Sequence, residues 1–125
     1  MRRRLFAAGV ALLAGCNGIT GGCTLIGCAN GLIVNLAQAP TSAYRIEVFA
    51  IESGPHFIFE CANPAQCGPG AAFNDFMPEA VTIRVTTSAG TREETVHPTY
   101  DVSQPNGPNC GPECRQAQVT VALPG

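Results

Sequence analysis

The chain has 125 residues and a formal net charge of −2, and 13% of its residues are charged. Seven arginines, nine acids and no lysine leave no basic stripe for a phosphate backbone or an anionic lipid surface, which argues against nucleic-acid binding. Seven cysteines in so short a chain point to a small domain held by covalent cross-links.

Arg2, Arg3 and Arg4 precede an apolar run from Leu5 to Ala14, which closes on Leu13-Ala14-Gly15-Cys16. A basic start, a short apolar stretch and a small-residue exit describe a secretory signal helix. Such a run rises about 15 Å as a helix, against a hydrocarbon core of roughly 30 Å, so it is too short to span a bilayer. The ending Leu-Ala-Gly-Cys resembles the lipobox of bacterial lipoproteins. That resemblance implies cleavage before Cys16, a diacylglyceryl group on its sulfur and an acylated new amino terminus. A plain secretory signal needs no cysteine directly after the cut. Two or three acyl chains hold a protein stably on a membrane where one does not. Asn17 is not the aspartate that retains lipoproteins of this kind at the inner membrane. The resemblance therefore implies a cell-envelope protein whose partner is the membrane, reached through lipid on Cys16, with the outer membrane or the periplasmic face favoured over the alternatives of inner membrane and cell surface.

Removal of residues 1–15 takes three arginines away. Arg45, Arg84, Arg92 and Arg115 then face nine acids, a net of about −5. The remainder is one domain's worth of chain. Residues 16–30 are small, polar and glycine-rich and read as a tether, part of it tied down by Cys23 and Cys28. Residues 31–125 form the domain.

From Leu32 the apolar period is two, as half-buried strands require. Leu32, Val34 and Leu36 share one face of a first strand. Tyr44, Ile46, Val48 and Ala50 alternate with Arg45, Glu47 and Phe49 in a second. Phe57, Phe59 and Cys61 alternate with His56, Ile58 and Glu60 in a third, and the Phe57-Ile58-Phe59 cluster predicts a strand covered on both faces. A short helical turn is expected near Ala71 to Met77, ended by Pro78. Val81, Ile83 and Val85 alternate with Thr82, Arg84 and Thr86, and a weaker strand runs from Thr91 to Val96. Ala117, Val119, Val121 and Leu123 mark the last strand. The Ser53-Gly54-Pro55 and Ser88-Ala89-Gly90 turns separate neighbours. The pattern predicts an all-β fold: an antiparallel β-sandwich of six to seven strands, immunoglobulin-like or prealbumin-like, disulfide-stapled and preceded by the signal helix. Residues 98–114 lack periodicity and are rich in proline and glycine, so they read as a long pinned or functional loop.

With Cys16 assigned to lipid, Cys23, Cys28, Cys61, Cys67, Cys110 and Cys114 form an even set, as a disulfide framework requires. Their spacings do not match the two-residue knuckles of structural zinc sites, so no metal is expected. Cys61 and Cys67 bracket a compact turn and are expected to pair. The other four leave two solutions. If the first and last strands run parallel, cross-bridges lock tether to loop; otherwise Cys23–Cys28 and Cys110–Cys114 close small local loops. Local pairing is the expectation.

No nucleophile motif, phosphate loop or zinc-protease motif occurs, and no cofactor is implied. His56 beside the expected neighbours Glu52 and Glu60, and His97 before Pro98, read as solvated histidines at strand ends. Asp75, Glu79, Asp101 and Glu113 match no calcium loop. The block from Pro105 to Ala117 resembles the end of small bacterial lipoproteins carrying a sandwich domain. The strand layout is similar to carboxypeptidase-regulatory-like modules, which assist folding, solubility or adhesion. Those resemblances imply no catalytic residues. The expected role is non-catalytic structural or protein-binding work at the envelope, with contact to a protein partner through residues 98–114 or a strand edge. The alternatives are an envelope carbohydrate-binding module, for which aromatic platforms are scarce, and a small hydrolase or inhibitor.

Overall fold

A computed structural model describes residues 23, 24, 27–51 and 54–125. The signal helix, Cys16, Glu52 and Ser53 lie outside the described residues. Among the described residues, eight strands and one short helix follow in order: β1 Gly31–Leu36, β2 Tyr44–Ala50, β3 His56–Cys61, α1 Pro64–Cys67, β4 Gly70–Asn74, β5 Val81–Thr87, β6 Gly90–Val96, β7 Asp101–Ser103 and β8 Cys114–Val121. They form two four-stranded sheets, β4-β1-β8-β7 and β3-β2-β5-β6.

Alternation dictates which faces meet. Leu32 and Val34 of β1, Ile46 and Val48 of β2, and Val81, Ile83 and Val85 of β5 are at most 1% exposed. With Tyr44, Phe73, Phe76, Ala117 and Val121 they form one core between the sheets. Each fully buried aliphatic side chain contributes about 1.5–3 kcal/mol relative to an exposed one, so these few positions dominate the stability.

The expected all-β, disulfide-stapled sandwich is what the chain forms, with more strands than periodicity revealed. The segment read as a helical turn, Ala71 to Met77, instead supplies β4, which pairs antiparallel with β1 from Gly31↔Asn74 to Asn35↔Gly70. Its Phe73 and the following Phe76 are buried, so pairing and burial override the local turn signal. The long loop contains β7, which pairs with β8. The second and third strands share a sheet, whereas an immunoglobulin domain places them in opposite sheets, so the strand order departs from the immunoglobulin one.

The largest departure concerns Phe57 to Phe59. β3 is an edge strand, and Phe57 and Ile58 are 42% and 52% exposed. Double-sided apolar character here marks an open edge and not a covered strand.

Candidate functional site

Three regions of the sandwich bring chemistry-bearing residues together. The first is the stapled corner. β1 and β8 are adjacent and parallel, with Gly31 opposite Gln116, so the segments leading into both strands meet at one end of the sandwich. The disulfides are accordingly Cys23–Cys110 and Cys28–Cys114, with Cα atoms 5.6 and 5.9 Å apart. The expected local pairs do not form, because parallel pairing of the two strands places distant cysteines beside each other. Cys61–Cys67 pairs as its spacing predicts, across α1. That helix is started by the Asn63 side chain, which accepts from the Ala65 amide at 3.1 Å, and by Pro64 in its first turn.

Hydrogen bonds reinforce the corner. The Thr24 amide donates to the Asn106 carbonyl at 3.0 Å, and its hydroxyl donates to Asn106 Oδ1 at 3.0 Å. Asn106, only 4% exposed, donates from Nδ2 to the Gly111 carbonyl at 3.2 Å. The Arg115 amide donates to Asn30 Oδ1 at 2.7 Å. Residues 104–113 are thus fastened to Cys23 and Thr24 by a disulfide and hydrogen bonds and cap this end of the sandwich. Beside them lies a cleft of about 290 Å³ lined by Cys28, Asp101, Ser103, Cys114, Gln116 and Gln118, among others. Its polar lining holds one carboxylate and no aromatic ring.

The second region is the outward face of the β3-β2-β5-β6 sheet. Register places Glu60, Arg45 and Thr86 in one row, Ile58, Glu47, Arg84 and Glu93 in the next, and His56, Phe49, Thr82 and Thr95 in the third. Glu47, 7% exposed, lies 3.4 Å from His56 Nε2, 3.6 Å from Arg84 and 3.8 Å from Arg45. Arg45 reaches Glu60 at 3.2 Å and Arg84 reaches Glu93 at 2.8 Å. Glu93, chiefly through that hydrogen bond, raises the Arg84 pKa further above its ordinary value. His56 stacks on Phe49 with ring centres 4.1 Å apart, and the Arg84 guanidinium sits 4.7 Å over the same ring. Thr82 meets Thr95, and Thr86 meets Thr91, through their hydroxyls.

Charges alternate across this ladder and are matched. His56 has Glu47 as its acid, not Glu60, which bonds Arg45 instead. The role of Glu47 as a buried hub escaped sequence reasoning. Alternation puts Arg45, Glu47 and Arg84 on outward faces, but only register sets Arg84 against Glu47. His97, just past β6, belongs to the opposite edge of the sheet from His56, three strand spacings or about 14 Å away.

The third region is the free edge of β3 itself, where the exposed Phe57 and Ile58 stand. Asp75, Glu79, Asp101 and Glu113 are not brought together, and among the described residues no group of three or more His, Cys, Asp or Glu could hold a metal ion. Fold and corner together define a disulfide-stapled β-sandwich of two four-stranded sheets. No family model, curated protein or solved structure matches the chain.

Proposed function

We propose that this chain is an exported, lipid-anchored cell-envelope protein whose sandwich does non-catalytic structural or protein-binding work. One observation carries the reading: six cysteines are consumed in pairs with one another, and the seventh is Cys16, at the end of Leu13-Ala14-Gly15-Cys16. Three disulfides suit an oxidising compartment, and Cys16 is left for lipid. The stapled corner begins at Cys23, so at most about 25 Å of extended chain separates it from the anchor. Residues 104–113 then face the bilayer, and a protein partner meets the sandwich along a sheet edge rather than through that loop. The non-catalytic reading is supported by the placement of His56 and His97 at opposite edges of the sheet. The carbohydrate alternative has the amide-lined cleft beside Asp101, but no ring lines that cleft for stacking.

Intact mass of the membrane-extracted protein, before and after reduction and alkylation, tests the reading. The expected species starts at Cys16, carries acyl chains, and gains six alkyl groups only after reduction. An unlipidated mass, or thiols alkylated without reduction, would overturn it.

A further inference from the structure

We propose that the free edge of β3 is a homodimer interface, in which two copies pair their β3 strands antiparallel about a two-fold axis at Ile58. The inference rests on the reading of the domain as a protein-binding sandwich and is independent of the lipid anchor.

The sandwich has four strand edges, and three are guarded. β7 is only three residues long. β4 is bounded by Gly70 and by Asp75, whose φ of 58° turns the chain away. β6 directs Arg92 and Glu94 to the inward side, opposite Val85 and Ile83, and Glu94 Oε1 is buried there without a hydrogen-bond partner among the described residues. Inward-pointing charge and short length are the usual defences against strand addition. β3 has neither. Its six residues contain no proline and no glycine, and its inward-facing residues are Phe57, Phe59 and Cys61.

Hydrogen-bond phase determines what this edge offers. The Ala50 amide donates to the Pro55 carbonyl, which sets the phase, so every second pair beyond it along β2–β3, beginning with Val48 and Phe57, exchanges hydrogen bonds. On the far side of β2 the Ile51 amide donates to Ala80, which gives the complementary phase. The N–H and C=O groups of Phe57 and Phe59 therefore turn inward to β2. Those of His56, Ile58 and Glu60 turn outward to the open edge.

These three residues are self-complementary. With the axis at Ile58, Ile58 opposes Ile58 of the second copy and His56 opposes Glu60, twice. Each opposed pair exchanges two backbone hydrogen bonds, so every outward-turned group is used. The imidazole and carboxylate face each other on the outer surface, while the exposed isoleucines cover one another on the same face. Moving the axis to Glu60 opposes two carboxylates, and moving it to His56 brings Ile58 against Gly54. Such self-pairing is the isologous contact of two-fold dimers. The product is a continuous eight-stranded sheet across two copies.

Sedimentation of the full chain carrying Cys16→Ser, exported so that its disulfides form, tests the pairing without a lipid micelle. The expected particle has twice the chain mass. Ile58→Asp and Ile58→Arg each weaken association about tenfold or more by placing like charges on the axis, and an equimolar mixture of the two recovers it. Independently of any variant at Ile58, the amides of Ile58 and Glu60 exchange with solvent slowly in concentrated protein and faster on dilution. A monomer at every concentration would overturn the dimer and leave the anchored reading standing. A dimer untouched by both variants, a mixture that stays monomeric, or exchange at Ile58 independent of concentration would also overturn it.

Discussion

Two glycines set the geometry of the β1–β4 ladder. Gly31 and Gly70 have φ values of 143° and 154°, and a Cβ at either would collide with the backbone carbonyl of Phe73 or Val34 on the facing strand. Gly31→Ala and Gly70→Ala are each expected to destabilise by about 1–3 kcal/mol, read as a lower urea midpoint at unchanged slope. Gly90 has a φ of 134° but open space around its Cβ position. Gly90→Ala therefore costs less, and the difference isolates the close strand approach. Tyr100 donates its hydroxyl to the Pro78 carbonyl at 2.7 Å. Burial raises its pKa above 10.0, opposed in part by Arg115. A raised folded-state pKa contributes stability below the ordinary tyrosine range and loses it as pH climbs through the folded value. Tyr100→Phe should flatten this alkaline loss, and absorbance at 295 nm should lose its late-ionising component.

At the scale of elements, the disulfides matter through the loops they close. Cys23–Cys110 and Cys28–Cys114 span 87 and 86 residues. By chain entropy, a loop of this length is worth about 4.6 kcal/mol. With one staple in place, the second closes only the short circuit between neighbouring cysteines, worth about 3 kcal/mol. Removing either pair by Cys→Ala substitution should thus cost about 3 kcal/mol, and removing both should cost more than twice that. Urea unfolding of the two double variants and the quadruple variant checks this. Equal and additive losses would mean that the staples act through local strain and not through the shared loop. Cys61–Cys67, closing six residues, contributes least of the three.

For the whole molecule, β8 runs from the stapled corner at Cys114 to Val121, roughly 25 Å along the sandwich. Beyond its end, Leu123 and Pro124 line a groove with Ser42, Ser88 and Ala89, so the β5–β6 turn lies far from the corner. The lipid anchor proposed at Cys16 would hold the corner, and not this turn, next to the bilayer. A fluorophore at Glu113 should be quenched by bilayer-resident quenchers more strongly than one at Ser88. Equal quenching would contradict the orientation. The outer pairs of the ladder, Arg45 with Glu60 and Arg84 with Glu93, are solvent-exposed and add little stability, so their use is to match charge across the outward face of the sheet.

What the residues determine unaided follows from local rules. Side chains alternate across a strand, so Tyr44 to Ala50 and Val81 to Thr86 declare their faces without reference to any partner. An even set of cysteines announces cross-links, and the short Cys61–Cys67 interval names one of them. The proposed anchor rests on a resemblance, that of the Leu-Ala-Gly-Cys ending to a lipobox, and not on such a rule. Tertiary structure alone decided the rest, because it depends on which strands lie side by side. Parallel pairing of β1 with β8 joins Cys23 to Cys110 and Cys28 to Cys114. Register across β2 and β5 places Arg84 on Glu47, and the position of β3 at an edge turns an apparently buried Phe-Ile-Phe run into an open surface. Alternation specifies a side chain's face, but neighbours along the hydrogen-bonding direction come from segments far apart in the chain, and no local pattern encodes them.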